Sequence, residues 1–211
     1  MEAGNALSAV DVQLNDAAAA VVAGNGAQAL RIYHALAEQD NATAQFNLGV
    51  MYEGAAGVSA DFAQAVRWYG LAAEKGNAMA QYNLGVMYDQ GRGVPQDNEQ
   101  ALAWFSRAAA LGNASAQTNL GVMYDIGQGV PQDFAKASQM FQLGAEQGNA
   151  VAQCNLASMY FHGIGVEQNF DQALTLYALS AEQGNQVALA KVNAIVEAID
   201  GGRSEGDVGA S

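Results

Sequence analysis

The side chains that could form a catalytic centre are few and far apart in this 211-residue sequence. Cys154 and His162 are separated by a helical distance of about 12 Å at a rise of about 1.5 Å per residue, which is too far for a Cys–His pair. The other histidine, His34, belongs to a distant N-terminal segment. We therefore predict a protein that is not an enzyme.

Metal and phosphate sites are not indicated by the sequence either. No pair of His, Cys or carboxylate residues has an established zinc spacing, and the pattern from Asp125 to Gly127 lacks the other oxygen ligands of a calcium loop. The glycine-rich segments follow no predicted strand and contain no P-loop lysine. We expect no metal and no cofactor.

A unit of 36 residues occurs four times in the middle of the chain. The copies span residues 41–76, 77–112, 113–148 and 149–184. A fixed period of this length is typical of stacked repeats, in which each unit buries its apolar face against its neighbours. Such proteins have long exposed surfaces, so we look for function on a surface before looking in a pocket.

Each unit contains two patterns of helical spacing. Ala44, Leu48 and Tyr52 share one helical face in the first half of the first copy, and Ala65 and Tyr69 share another in the second half. A Gly-Asn pair at each seam suits the end of one helix and the N-cap of the next. The sequence predicts an all-α, right-handed superhelix of about eleven helices built from helix-turn-helix repeats.

The two ends of the chain depart from the repeat, as terminal repeats do when their outer faces meet water. Residues 1–40 are interpreted as an N-terminal capping half and residues 185–200 as a C-terminal capping helix. The predicted domain is thus a single solenoid over residues 1–200. Residues 201–211 have no periodicity and are predicted to be a disordered tail.

Eight basic and 21 acidic side chains give a formal charge of −13. An acidic surface repels phosphate, so we expect no nucleic-acid partner and a mild preference for basic partners. The apolar stretch at residues 17–23 is shorter than the roughly 20 residues of a membrane span, so we expect no membrane insertion. No signal peptide is seen, which predicts a cytoplasmic protein, or a periplasmic or secreted one if a leader has been removed.

The pattern A-x-A-Q-x-N-L-G-x-M-Y-x-x-G-x-G-V, followed by Asp, Ala, Tyr or Phe and Ala at helical spacing, resembles the Sel-one-like repeats. These are relatives of the tetratricopeptide repeats with a longer loop between the helices. The resemblance covers residues 41–184, and it implies an adaptor or regulator of bacterial type that binds other proteins. A cysteine-rich branch of the family has been linked to β-lactam binding, and the lone Cys154 departs from that branch.

The resemblance also implies a binding surface. In the tetratricopeptide relatives the first helices line a concave groove, where an Asn before the Leu-Gly pair can hold a peptide backbone. The corresponding residues here are Asn47, Asn83, Asn119 and Asn155. The alternative is that these amides bridge adjacent repeats by bonding to a loop carbonyl.

The residue before each of these asparagines varies among the copies while its neighbours are nearly constant. The four occupants are Phe46, Tyr82, Thr118 and Cys154. Variation at one position is expected of a surface that recognises a specific partner. It is equally expected of a weakly constrained position in solvent.

Carboxylates end three of the first helices, where the helix dipole disfavours negative charge. The row consists of Glu53, Asp89 and Asp125, with Phe161 in the fourth copy. On the rim of a groove this row would favour a basic partner. Alternatively, each carboxylate accepts hydrogen bonds from the amides of its own glycine-rich turn.

These observations predict a non-catalytic adaptor or regulatory scaffold that binds a protein or peptide on its concave first-helix face. The alternative is an exported envelope or host-contact protein that binds a cell-wall fragment or small molecule, with or without weak hydrolase activity. That alternative requires a closed pocket instead of an open groove.

Overall fold

The computed structural model describes the backbone of residues 8–206 and the side chains of residues 8–198. Apart from a short 3-10 helix at Ala55–Gly57, the regular elements of this part are eleven α-helices. They are α1 (Ala9–Val22), α2 (Gly26–Glu38), α3 (Ala42–Tyr52), α4 (Phe62–Glu74), α5 (Ala78–Gln90), α6 (Asn98–Ala110), α7 (Ala114–Ile126), α8 (Phe134–Glu146), α9 (Ala150–His162), α10 (Phe170–Glu182) and α11 (Gln186–Gly206). The predicted all-α helical repeat fold is confirmed.

Each repeat forms one pair of packed helices, and capping residues set where the helices begin and end. The first helices are α3, α5, α7 and α9, and the second helices are α4, α6, α8 and α10. The Asn77 side chain accepts a hydrogen bond from the Ala80 amide, and Asn41, Asn113 and Asn149 cap their helices in the same way. Gly91 ends α5 in the left-handed conformation that glycine adopts without strain.

The chain divides into two compact units. Unit 1 is Met1–Leu111 and unit 2 is Gly112–Ser211, so the boundary falls on a seam between repeats. Unit 1 contains α1 to α6, and unit 2 contains α7 to α11. The single solenoid domain remains a prediction.

The last helix is longer than the predicted capping helix. α11 continues to Gly206, past the predicted boundary at residue 200. Glycines at 201 and 202 lower helix propensity, but no proline follows them to break the helix. The rest of the predicted tail, residues 207–211, lies outside the described residues, as do residues 1–7 of the predicted capping half.

Within a helix pair, a small residue on the first helix admits an aromatic ring from the second. A Cβ atom added to Gly85 would lie 2.7 Å from the Phe105 ring, and one added to Gly121 would lie 2.7 Å from the Phe141 ring. Such a separation is below van der Waals contact, so the rings pack against the helix backbone itself. The glycine in the middle of the first helix is therefore a requirement of packing.

A buried glutamine connects neighbouring helix pairs. Gln81 Nε2 donates to the Ala73 carbonyl at 3.0 Å, and Gln153 Nε2 donates to the Ala145 carbonyl at 3.4 Å. On its other side, the oxygen of Gln153 accepts a hydrogen bond of 2.8 Å from Gln183 Nε2. The recurring Gln of the motif is thus a structural link between successive pairs.

The second repeat lacks half of this link. Gln147 and Gln183 each follow their partner glutamine by 30 residues, and Leu111 stands at that place after Gln81. Consistently, Gln81 Oε1 is buried without a hydrogen-bond partner. A buried unsatisfied acceptor costs about 1–3 kcal/mol.

We expect Leu111→Gln to raise the free energy of unfolding by about 0.5–1.5 kcal/mol, because the new amide can donate to Gln81 Oε1. The matched change Gln183→Leu should lower it by about 1–3 kcal/mol by leaving Gln153 Oε1 without its donor. Urea unfolding followed by circular dichroism measures both. A Leu111→Gln protein no more stable than the parent would contradict this role of the glutamine pair.

Two glycine substitutions should have opposite effects. Gly85→Ala is expected to destabilise by about 1–3 kcal/mol because its methyl group meets the Phe105 ring. Gly70 lies inside α4, and beyond the adjoining helix backbone no heavy atom comes within 4 Å of the place its Cβ atom would take, so Gly70→Ala should stabilise by about 0.5–1 kcal/mol. Thermal unfolding compares the two proteins. Equal melting temperatures would show that the packing of the Phe105 ring does not require glycine at position 85.

Candidate functional site

The predicted site residues all lie on the first helices or directly at their C-terminal ends. We call this set the first-helix face. It consists of Phe46, Asn47, Glu53, Tyr82, Asn83, Asp89, Thr118, Asn119, Asp125, Cys154, Asn155 and Phe161. Whether these residues bind a partner stays a prediction, but their surroundings differ from copy to copy.

The variable position before the asparagines is partly exposed in unit 1 and buried in unit 2. Phe46 lies with its ring centroid 5.9 Å from that of Tyr69, and both Phe46 and Tyr82 keep part of their surface accessible. Thr118 is 4% exposed and Cys154 is 8% exposed. Small side chains at this position sit within the core, so these two offer a partner almost no surface.

Thr118 and Cys154 are occupied by local contacts. Thr118 Oγ1 donates to the Ala114 carbonyl at 2.8 Å, one turn earlier in α7. Burial raises the pKa of the Cys154 thiol, and the positive charge of Lys191 acts weakly in the opposite direction. A raised pKa reduces the thiolate fraction that nucleophilic attack requires.

Glu53 makes contacts that neither interpretation of the acidic row foresaw. Its carboxylate accepts a hydrogen bond of 2.6 Å from the Tyr69 hydroxyl, and Arg92 NH1 lies 3.2 Å from its other oxygen. The Arg92 guanidinium also stacks 4.3 Å above the centroid of the Phe62 ring. The carboxylate is therefore engaged by an arginine of the next repeat, while its own turn amides are not its ligands.

Asn83 belongs to the same cluster. Burial raises the pKa of the Tyr69 hydroxyl far above its usual range, and the neighbouring Glu53 carboxylate raises it further, whereas hydrogen bonding with Asn83 and the Arg92 charge lower it. Asn83 thus interacts with a residue of the preceding repeat. We call Glu53, Tyr69, Asn83 and Arg92 the Tyr69 cluster.

The other asparagines have different surroundings, although all four are half-buried. Asn47 lines a pocket of about 250 Å³ with residues of α1, α2 and α3. Asn119 and Asn155 are half-buried on α7 and α9. Asn83 therefore contacts the preceding repeat through the Tyr69 side chain and not through a loop carbonyl, while Asn47 lines a space that a ligand could enter.

The glycine-rich turns are closed through the backbone at the acidic row. The carbonyl of Asp89 accepts from Gln96 Nε2 at 2.7 Å, and the carbonyl of Asp125 accepts from Gln132 Nε2 at 2.6 Å. The same bond forms between the Phe161 carbonyl and Gln168 at 2.8 Å. Because the turn uses the main chain, the side chain at this position can vary without loss of the turn.

In unit 2, the last member of the row lies in a pocket of about 450 Å³ between α9, α10 and α11. The lining residues are Phe161, Phe170, Tyr177, Lys191, Ala194, Ile195 and Ala198. Lys191 is 36 residues after Asn155, so it occupies the asparagine position of the first-helix face. We call this space the α11 pocket.

Sequence reasoning missed Arg92, Phe170 and Lys191. Arg92 stands at a turn position that differs in every copy, with Ala56, Gln128 and Ile164 as its counterparts. Lys191 could have been found by extending the repeat register through the capping helix. For Arg92 and for Lys191 the sequence signal was variation at a fixed repeat position.

The described residues contain neither a membrane-spanning helix nor a metal-binding cluster. No helix there has the length and apolar character needed to cross a membrane. No group of three or more His, Cys, Asp or Glu side chains is arranged in this part of the chain so that it could hold a metal ion.

The family model of the Sel1 repeat matches four successive segments, residues 42–77, 78–113, 114–149 and 150–185. The chain belongs to the Sel1 repeat family. The family expected from the motif is therefore confirmed, with each boundary one residue later than predicted. Sel1 repeats typically mediate protein interactions. No curated protein matches the chain.

Solved structures show the same fold. A protective antigen from uropathogenic Escherichia coli is 36% identical with a TM-score of 0.77, over 89% of this chain and 42% of the antigen. A Sel1 repeat protein from Oxalobacter formigenes is 30% identical with a TM-score of 0.78, over 85% of this chain and 73% of that one. An immunity protein from Pseudomonas aeruginosa is 25% identical with a TM-score of 0.54, over 85% and 67% of the two chains. This chain spans less than half the length of the E. coli antigen.

The Tyr69 cluster should make the protein sensitive to alkali. Tyrosine in an unfolded chain ionises near pH 10, whereas the raised pKa keeps folded Tyr69 protonated at that pH. The corresponding stability is present below about pH 10 and is lost as the pH rises above it. Tyr69→Phe should therefore lose less unfolding free energy than the parent between about pH 9 and 11.

Urea unfolding at several pH values measures this slope. Tyr33 and Tyr177, whose pKa values are also raised by burial, leave a residual slope in the variant. An unchanged slope in Tyr69→Phe would show that its hydroxyl is not coupled to folding.

Proposed function

We propose that this Sel1 repeat protein is a non-catalytic scaffold that binds a peptide or protein segment on its first-helix face. The observation that supports this most directly is the α11 pocket. Its lining includes Phe161, a site residue that the sequence predicts, and the charged residue Lys191, which stands in the asparagine position. A concave, mostly apolar site with a few polar groups is the usual form of a binding site.

The shape of the pocket favours a segment of polypeptide over a free small molecule. It opens to solvent beside Phe170, whose side chain is 57% exposed, so a chain can continue out of it. The pocket volume of about 450 Å³ also lies within the range of small-molecule sites. The volume therefore supports the alternative that the protein binds a cell-wall fragment or another small ligand. A competition experiment between peptides and small ligands distinguishes these two functions.

Charge supports a partner with basic residues for the face as a whole. The formal charge is −13, and in unit 1 the Glu53 carboxylate already binds the Arg92 guanidinium. A partner's arginine or lysine could make a similar contact with the Asp125 carboxylate of the row. Such contacts raise association rates and weaken with salt.

Catalysis has little support on this face. The raised pKa of the buried Cys154 thiol disfavours the thiolate, and His162 is exposed at the end of α9, where its ring packs 5.0 Å from that of Phe161. A nucleophile, a base and an orienting group within reach of one another are needed for a hydrolase. We therefore propose binding without reaction.

Selection from a random peptide library on the intact protein tests the proposal. We expect binders whose affinity falls at least tenfold in Phe161→Asp, a loss of about 1.4 kcal/mol, because the change removes an aromatic wall of the α11 pocket. Asp occupies the same position in the third repeat, and the turn is closed through the backbone, so the variant should fold.

The matched control is Val151→Ala, which shortens an exposed apolar side chain on α9 outside the pocket lining. It should bind the selected peptides as tightly as the parent. Binders that tolerate Phe161→Asp, or the selection of none, would refute binding at this end of the first-helix face.

A further inference from the structure

We propose that the α11 pocket binds the C-terminal residue of a peptide, with a large apolar side chain between its aromatic walls and the terminal carboxylate on Lys191. This assignment rests on the proposed function and names the ligand of that same face. It follows from three features of the pocket, namely its walls, its single charge and its size.

Aromatic rings form one wall and the floor of the pocket. The Phe161 and Phe170 rings meet edge to face, with centroids 5.3 Å apart and an interplanar angle of 78°. Tyr177 is buried beneath them at 1% exposure, while Ile195 closes the opposite side from α11. Perpendicular rings offer both a face and an edge, which suits an aromatic or branched apolar side chain.

Lys191 supplies the charged group in the lining. Two positions change together here: Phe161 replaces the carboxylate of the other copies, and Lys191 replaces the asparagine. Among the side chains that the structure describes, no acidic group forms an ion pair with Lys191. The ammonium is thus available for a carboxylate brought by the ligand.

The Cys154 thiol interacts electrostatically with Lys191, but burial raises the pKa of this thiol and so disfavours the negative thiolate that could neutralise the lysine. In unit 1, by contrast, Glu53 occupies the position of Phe161 and is paired with Arg92. The row position therefore holds a carboxylate paired with an arginine in unit 1 and an aromatic ring in unit 2, where Lys191 has no ion pair among the described residues.

A terminal residue fits this arrangement better than an acidic side chain within a sequence. Its apolar side chain and its carboxylate are attached to one carbon, so both can enter a single pocket of about 450 Å³. The formal charge of −13 also disfavours peptides rich in Asp and Glu. A peptide whose single negative charge is its C terminus avoids that repulsion.

Fluorescence anisotropy with short labelled peptides tests the assignment. The probe is a Gly/Ser peptide that ends in phenylalanine with a free carboxylate, and it is compared with the same peptide as a C-terminal amide. We expect the amide to bind at least tenfold more weakly. A peptide ending in alanine should also bind at least tenfold more weakly because it leaves the aromatic walls unfilled.

Lys191→Asn provides the matched variant because asparagine is the residue of this position in the four repeats. It should bind the acid and the amide with equal, weak affinity. Retained discrimination in Lys191→Asn would overturn the role of the lysine. Equal binding of acid and amide by the parent would overturn the assignment altogether.

An amidated peptide with an internal Phe-Asp pair distinguishes the two sources of a carboxylate. Binding as tight as that of the free acid would replace the terminal carboxylate with an acidic side chain and overturn the proposal. If none of these probes binds while library peptides still depend on Phe161, this assignment fails and the scaffold function stands. If the library peptides are also insensitive to Phe161→Asp, both fail.

Discussion

The contact between a second-helix ring and the small residue of the first helix is the constraint on which each repeat depends. At Gly85 and Gly121 the ring lies where a Cβ atom would otherwise be. This contact brings the two helices of a pair to a fixed separation and keeps the ring in one place. The ring position is occupied by Tyr69, Phe105, Phe141 and Tyr177. What surrounds the outer edge of the ring can then change without moving the helices.

The same ring position supports two different local chemistries in the two units. In unit 1 the Tyr69 hydroxyl reaches Glu53, and an arginine of the next repeat completes a polar cluster. In unit 2 Tyr177 forms the floor of the α11 pocket, where the carboxylate has been replaced by Phe161. The turn that follows is held by a backbone carbonyl in both the acidic and the aromatic case. Because this turn bond uses the backbone carbonyl, the side chain at the row position can differ between copies without loss of the turn.

Much of the fold was predictable because it is fixed by short-range patterns. The caps at Asn77 and its equivalents, the helix pairs and the family follow from spacing within 36 residues. The burial of Thr118 and Cys154 was not predictable, because it depends on how far a side chain extends from a helix whose neighbours belong to other repeats. The partnership of Glu53 with Arg92 spans two repeats and uses a turn position without any periodic signal. The division into two units falls at one seam between repeats, and the repeat pattern does not distinguish that seam from the others.

The chain as a whole is acidic, whereas the charged residue in the lining of the α11 pocket is a lysine, and this difference matters for the proposed recognition. Because the chain has 21 acidic and eight basic side chains, the proposed preference for a basic partner would act at long range, where salt screens the interaction. At short range, inside the α11 pocket, the charge in the lining is positive and the walls are apolar. Long-range attraction and short-range selection then act on different parts of one ligand. A basic segment ending in an apolar residue satisfies both, whereas an acidic segment is repelled before it reaches Lys191. This combination would make the proposed specificity for a chain end compatible with a strongly negative protein.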